Sequence, residues 1–133
     1  MTEKNGIDHQ VDICTETKIG KNPQIGPFCE IKNSRIGDNC KIGAGVCIES
    51  AVIGNNVEIG QNCTLVGIYV GDKIERKIVI EDDARIGAGS VILPAVKIGK
   101  GALVNAGSTL HGDVPAYHEY VEKVLIRSCA PCC

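Results

Sequence analysis

Branched aliphatic residues recur along this chain at an interval that is almost always six. The anchors are Ile7, Ile13, Ile19, Ile25, Ile31, Ile36, Ile42, Ile48, Ile53, Ile59, Leu65, Val70, Ile80, Ile86, Ile92, Ile98, Val104 and Leu110. Of the seventeen steps between them, thirteen are six residues, three are five and one is ten. Neither a helical period near 3.6 nor a strand alternation of 2 produces a strict six. A short period sustained over so much of the chain predicts a solenoid in which each repeat stacks on the last.

The residues between anchors define the unit. Glycine follows the anchor at 20, 26, 37, 43, 54, 60, 71, 87 and 99. The third residue after it is Asn22, Asn39, Gly45, Asn56, Asn62, Asp83, Gly89, Gly101 or Gly107. These types tolerate positive φ, so a tight corner is predicted once per six residues. The fourth residue is small or β-branched: Val11, Thr17, Cys29, Cys40, Val46, Val57, Cys63, Ala84, Ser90, Val96, Ala102 and Ser108. Each hexapeptide therefore supplies a short strand, a corner and two inward side chains. Three of them close a triangular coil of about eighteen residues, and coils stack at roughly 4.8 Å. The five-residue steps follow Ile31, Ile48 and Leu65, which shortens the third side of each early coil and makes Val70 a third-side anchor. Residues 1–113 are read as the β-helix, with about six coils and roughly 30 Å of height at that spacing.

This pattern resembles the hexapeptide-repeat, left-handed parallel β-helix family, over about four-fifths of the chain. The resemblance implies an all-β, single-stranded left-handed helix of triangular coils. The hand comes from the family; general crossover rules favour the opposite one. The early units IGKNPQIGPFCEIKNSR and IGDNCKIGAGVCIESAV resemble the carboxy-terminal β-helix domains of sugar-phosphate nucleotidyltransferases. Those domains serve oligomerisation and regulation, which is the alternative, non-catalytic reading. The α/β nucleotide-binding domain that precedes them there is not matched here.

Composition narrows the classes. One domain fits 133 residues, and four aromatics without Trp suit a thin prism packed with Ile and Val. A net charge of −2 without a basic patch argues against nucleic acid. The start MTEKNGIDHQ is polar and no run of eighteen apolar residues occurs, so neither signal peptide nor membrane span is expected. Of eight cysteines, Cys29, Cys40 and Cys63 take the inward small position, and stacking separates Cys29 from Cys63 by about two strand spacings, too far for a disulfide. Cys14 and Cys47 fall at outward or corner positions. Cys129, Cys132 and Cys133 form a tail, 129–133, lacking a second ligand pair, so no metal is expected. Buried free thiols point to a reducing, cytoplasmic location.

The rhythm breaks twice. One break is the charged excursion at 70–80. The other begins after Leu110, where Pro115 and the spacing of Tyr117, Tyr120, Val121, Val124 and Leu125 predict a capping helix over 114–128. The stretch from Lys77 to Tyr117, with IGAGSVILP, IGKGA and a terminal DVP, resembles the closing coils of hexapeptide acetyltransferases that use acetyl-CoA as co-substrate. That resemblance implies a homotrimer with the cofactor in a groove between prisms. It implies that backbone amides at Ala88, Gly89, Ala106 and Gly107 line an open groove, with Lys97, Lys100 and Arg127 supplying charge for the phosphates. The acceptor would be a sugar or nucleotide-sugar. A general base is needed to deprotonate it, and residues 10–110 contain no histidine. The candidates are His111 beyond the last anchor and the carboxylates Asp72 and Glu75 of the excursion. Family members more often carry Thr at the place of His111. The zinc-dependent carbonic anhydrases of the same fold need three converging histidines, which His9, His111 and His118 do not supply.

Overall fold

The computed structural model describes residues 3–4, 6–8, 10–14, 16–67, 76–121 and 124–127. Its strands fall on three faces of a prism. The first face holds Ile7–Asp8, Gln24–Ile25, Lys41–Ile42, Glu58–Ile59, Arg85–Ile86, Leu103–Val104 and His118–Val121, all in parallel register. The second holds Asp12–Ile13, Glu30–Lys32, Cys47–Glu49, Thr64–Val66, Val91–Ile92 and Thr109–Leu110. The third holds Lys18–Ile19, Arg35–Ile36, Ala51–Ile53, Ile78–Ile80 and Lys97–Ile98. Six coils result. The edge after the first face is called here the first edge, and so on round the coil.

Inside, the anchors and the small residues form one column of side chains. Ile31, Ile48, Leu65, Val57, Cys63, Ala84, Ser90, Ile98 and Val104 are completely shielded from solvent. Polar groups in that column are paired. The Ser90 hydroxyl donates to the carbonyls of Gly87 and Asn105, and the Cys29, Cys40 and Cys63 thiols donate to those of Gly43, Gly54 and Gly87. All three thiols are buried and free.

The corners form as the sequence requires. Each of Asn22, Asn39, Gly45, Asn56, Asn62, Asp83, Gly89, Gly101 and Gly107 has positive φ. At the third edge the glycine after the anchor is needed for a second reason. A Cβ on Gly20, Gly37 or Gly54 would collide with the side-chain oxygen of Asp38, Asn55 or Asp82 from the next coil. Those oxygens accept the N–H groups of Lys21, Asp38 and Asn55, each at 2.8 Å. A polar ladder thus runs up this edge.

Two expectations are corrected. Ile80, not Val70, is the third-side rung of the fourth coil, because Ile53 pairs with Ile80 and Ile80 with Ile98. Every anchor from Ile80 onward therefore moves one face back, Ile80 to the third face, Ile86 to the first and Ile92 to the second. The second-side strand ends at Val66 and the third-side strand begins at Ile78, with the Arg76 N–H donating to the Gly67 carbonyl at 2.7 Å. Val70, Asp72 and Glu75 lie outside the described residues.

Nor does a helix follow residue 113; among the described residues there is none. Val114 is buried and bridges Ile98, completing the third side of the sixth coil. Tyr117 takes the corner with φ of 60°, and Tyr120, six residues beyond Val114, pairs with Val104. The hexapeptide rhythm simply continues with a bulkier anchor, and tertiary stacking wins over the helical spacing of the same residues. The chain then reverses: Val124–Arg127 pairs antiparallel with His118–Val121. The cap is a hairpin.

Candidate functional site

The first edge changes character from the lower coils to the upper ones. Going up it, the second corner residue is Pro27, Ala44, Gln61, Ala88 and Ala106, and the third is Phe28, Gly45, Asn62, Gly89 and Gly107. In the lower coils side chains crowd this line, and a Cβ on Gly45 would press on the Asn62 amide at 2.5 Å. Above Gly89 and Gly107 a Cβ would meet nothing within 4 Å. Ala88, Gly89, Ala106 and Gly107 are all exposed. The last two corners of this edge therefore present an unobstructed backbone track. One part of the sequence reading is corrected. The Gly89 and Gly107 N–H groups are not free donors; they bond the Gln61 and Ala88 carbonyls at 2.8 and 2.9 Å, as stacking demands.

The cationic candidates lie elsewhere. Lys97 projects from the third face beside Glu81, at 3.7 Å, and its N–H is held by the Asp113 carboxylate. Lys100 sits on the third edge, where its N–H donates to Glu81 and its carbonyl accepts the Tyr117 N–H. Arg127 stands opposite His118 in the terminal hairpin, just past the same edge. A single prism thus brings Lys100 and Arg127 to one edge and the four small residues to another. His111 is exposed on the second edge, two coils above the strand ends Gly67 and Arg76 that root the excursion. His111 is the fourth residue after Gly107, across the second face, a span of at most about 14 Å.

One candidate escaped the sequence reading. His118 occupies the inward small position of the last coil, four residues after the anchor Val114, where Val, Cys, Ala or Ser sit below. It is half-buried, and its Nδ1 lies 2.9 Å from the Ala116 carbonyl. The step of six from Val114 to Tyr120 was the signal available for it.

The outward apolar residues Val66, Val91 and Leu103 do not share one face. Val66 and Val91 are on the second face, Leu103 is on the first, and Ile68 lies outside the described residues. Among the described residues no cluster of three or more His, Cys, Asp or Glu side chains is placed to hold a metal ion, and no helix is long and apolar enough to cross a membrane.

The triangular stack, its corner chemistry and its glycine track define a hexapeptide-repeat β-helix. The family described as the EIF2B subunit epsilon LbH domain, LbH being the left-handed β-helix, matches residues 2–104, and the chain belongs to this family. Shorter matches run to acetyltransferases. The 2,3,4,5-tetrahydropyridine-2,6-dicarboxylate N-acetyltransferase of Clostridium perfringens (strain SM101 / Type A) is 63% identical over 38 residues, 29% of this chain and 16% of that protein. The Staphylococcus aureus (strain JH9) enzyme of the same name is 56% identical over 39 residues, again 29% and 16%. The chain thus matches under a fifth of the length of these relatives. Among solved structures, a point mutant of AntD, an N-acyltransferase from Bacillus cereus in complex with dTDP and coenzyme A, superposes with a TM-score of 0.81 at 21% identity, covering 90% of this chain and 78% of that one. WeeI from Acinetobacter baumannii AYE gives 0.76 at 28% identity, covering 88% and 54%.

Proposed function

We propose that the protein is an acyltransferase of the hexapeptide type, moving an acetyl group from acetyl-CoA to a hydroxyl or amine of a sugar or nucleotide-sugar. The observation that carries this is the open backbone track over Gly89 and Gly107. An extended, amide-bearing pantetheine arm needs a straight path without side chains, and this edge offers one only at its closing coils. The likeness of those coils to N-acetyltransferases supports the same reading.

The division of the candidate residues between edges supports a homotrimer. A groove between two parallel prisms sets the small residues of one copy beside Lys97, Lys100 and Arg127 of the next, so each site draws on two chains. In the reaction the acceptor oxygen or nitrogen attacks the thioester carbonyl, the C–S bond breaks, and the acceptor proton passes to a base. His111 is the candidate on the second edge and His118 the one on the third, and Asp72 and Glu75 of the excursion are candidates from the sequence. Free, buried Cys29, Cys40 and Cys63 support a cytoplasmic setting.

A second reading is a non-catalytic β-helix module serving assembly or regulation, and it is favoured by the matched family being a domain of a larger subunit. Thiol release from acetyl-CoA, measured across sugars and nucleotide-sugars alongside calorimetric CoA binding, separates the two. Release with one acceptor class establishes the transferase; no release and no CoA binding leave the assembly module.

A further inference from the structure

The nine-stranded first-face sheet ends differently at its two edges. One terminal strand is Glu3–Lys4, and charged residues of this kind blunt an edge against further pairing. The other is Val124–Arg127, which has one strand neighbour among the described residues. It carries no proline and no lysine. Its Val124, Leu125 and Ile126 are 54, 45 and 48% exposed. Three adjacent apolar residues thus lie open on a strand whose second side has no strand partner among the described residues.

Register says what completes it. The pairs Val104–Tyr120 and Tyr120–Leu125 make Leu125 the last member of the inward row that begins with the anchor isoleucines. The pairs Leu103–Glu119 and Glu119–Ile126 continue the outward row to Ile126. Residues directly opposite in an antiparallel pair point to the same side of the sheet. A twofold through Leu125 obeys that parity: it sets Leu125 against Leu125 of a second copy and Val124 against Ile126, twice. All three pairs are apolar, and Arg127 stays outside them.

We propose that this strand is a self-association edge, at which two copies join end to end by antiparallel pairing of Val124–Ile126 and merge their first-face sheets into one. The contact is isologous, so it closes after two copies and leaves the sides of the prism untouched. It doubles whatever assembly the sides form.

The test is sedimentation equilibrium of the full chain as wild type, Leu125→Lys and Ile126→Lys, with far-ultraviolet circular dichroism to confirm folding. Both positions are exposed, so a lysine is tolerated in the folded chain while it blunts the edge. The wild type is expected at twice the mass of either variant, and Ile126→Val at the mass of the wild type. Equal masses for the wild type and both lysine variants overturn the proposal. Because the readout is mass, loss of acetyl transfer without loss of the twofold difference bears on the enzyme reading alone.

Discussion

Ile80 lies in register with Ile53, twenty-seven residues earlier, whereas Ile53 and Ile36 are in register at seventeen. The ten extra residues, 68–77, fall between Gly67 and Ile78, and within that step the Arg76 N–H donates to the Gly67 carbonyl. Excising 68–75 and joining Gly67 to Arg76 through two glycines should leave the thermal midpoint within a few degrees of wild type. If the excursion supplies the base, the same variant loses acetyl transfer. Collapse of the fold would show that the excursion is a structural part of the coil.

The inward column should tolerate shape but not charge. Ile42→Asp places a carboxylate where 4% of the residue is exposed, and burial without a partner costs several kcal/mol. That variant should fail to fold, as read by circular dichroism. Cys40→Val loses the thiol's bonds to the Gly54 and Asp38 carbonyls and gains a side chain that Val46 and Val57 already place in equivalent sites. Its stability should stay within about 1 kcal/mol of wild type; a larger loss means the thiol bond matters more than its volume.

Alkaline pH should weaken the fold through three thiols. Burial pushes Cys29, Cys40 and Cys63 above their ordinary value of 9.0, more strongly than their backbone hydrogen bonds pull them down. Above about pH 9 the unfolded chain releases these protons while the folded chain keeps them. The folded state then binds more protons, so stability falls as pH rises. Urea midpoints at pH 8 and 10 should differ more in wild type than in a Cys29→Val, Cys40→Val, Cys63→Val variant. Equal differences would remove the thiols as the cause.

At the first edge, Gly89→Asn tests the track without breaking the corner. Asn adopts the same positive φ at Asn62, in the coil immediately below. The variant should fold with wild-type stability to within about 1 kcal/mol, while CoA affinity by calorimetry drops at least about tenfold because a side chain now stands in the path. Unchanged affinity would move the cofactor off this edge.

For the base, His111→Ala, His118→Ala, Asp72→Asn and Glu75→Gln should be compared for turnover and for CoA binding separately. Loss of the true base lowers the rate by about 10²–10⁴ and spares cofactor affinity. Full activity in all four would exclude every base named here.

The sequence made the coils legible because each carries three local constraints that agree: an anchor, a residue that accepts positive φ, and a small inward neighbour. All nine corners expected from Asn, Asp and Gly have positive φ. Corners at Phe28 and Ala95 also do, although neither residue favours that conformation; the stack imposes it on them. The closing rungs were missed where the anchor types changed. Leu110 to Val114 is a step of four, and a tyrosine then serves as the next anchor, so the spacing around Tyr117 and Tyr120 satisfied a helical face equally well. Strand pairing across the prism decided between them, and no local signal contains it. The site was legible only in part for a related reason. Gly89 and Gly107 announce a corner in any such coil, and only the open space above them distinguishes these two from the rest.

The ladder of Asp38, Asn55 and Asp82 sets a direction for how this chain is made. Each of those side chains receives the amide of the coil beneath it, and strand amides do likewise, as Gln24 N–H donates to the Cys40 carbonyl and Lys41 N–H to that of Val57. During synthesis from the amino terminus, a newly emerged coil therefore holds donors whose acceptors have not yet left the ribosome. Each turn waits for its successor before its strand amides are satisfied, whereas corner amides such as those of Asn39, Gly89 and Gly107 donate back to the coil below. A ribosome stalled in mid-solenoid exposes an unfinished rung, and the last of these vacancies to be filled belong to the uppermost coils, where the glycine track lies.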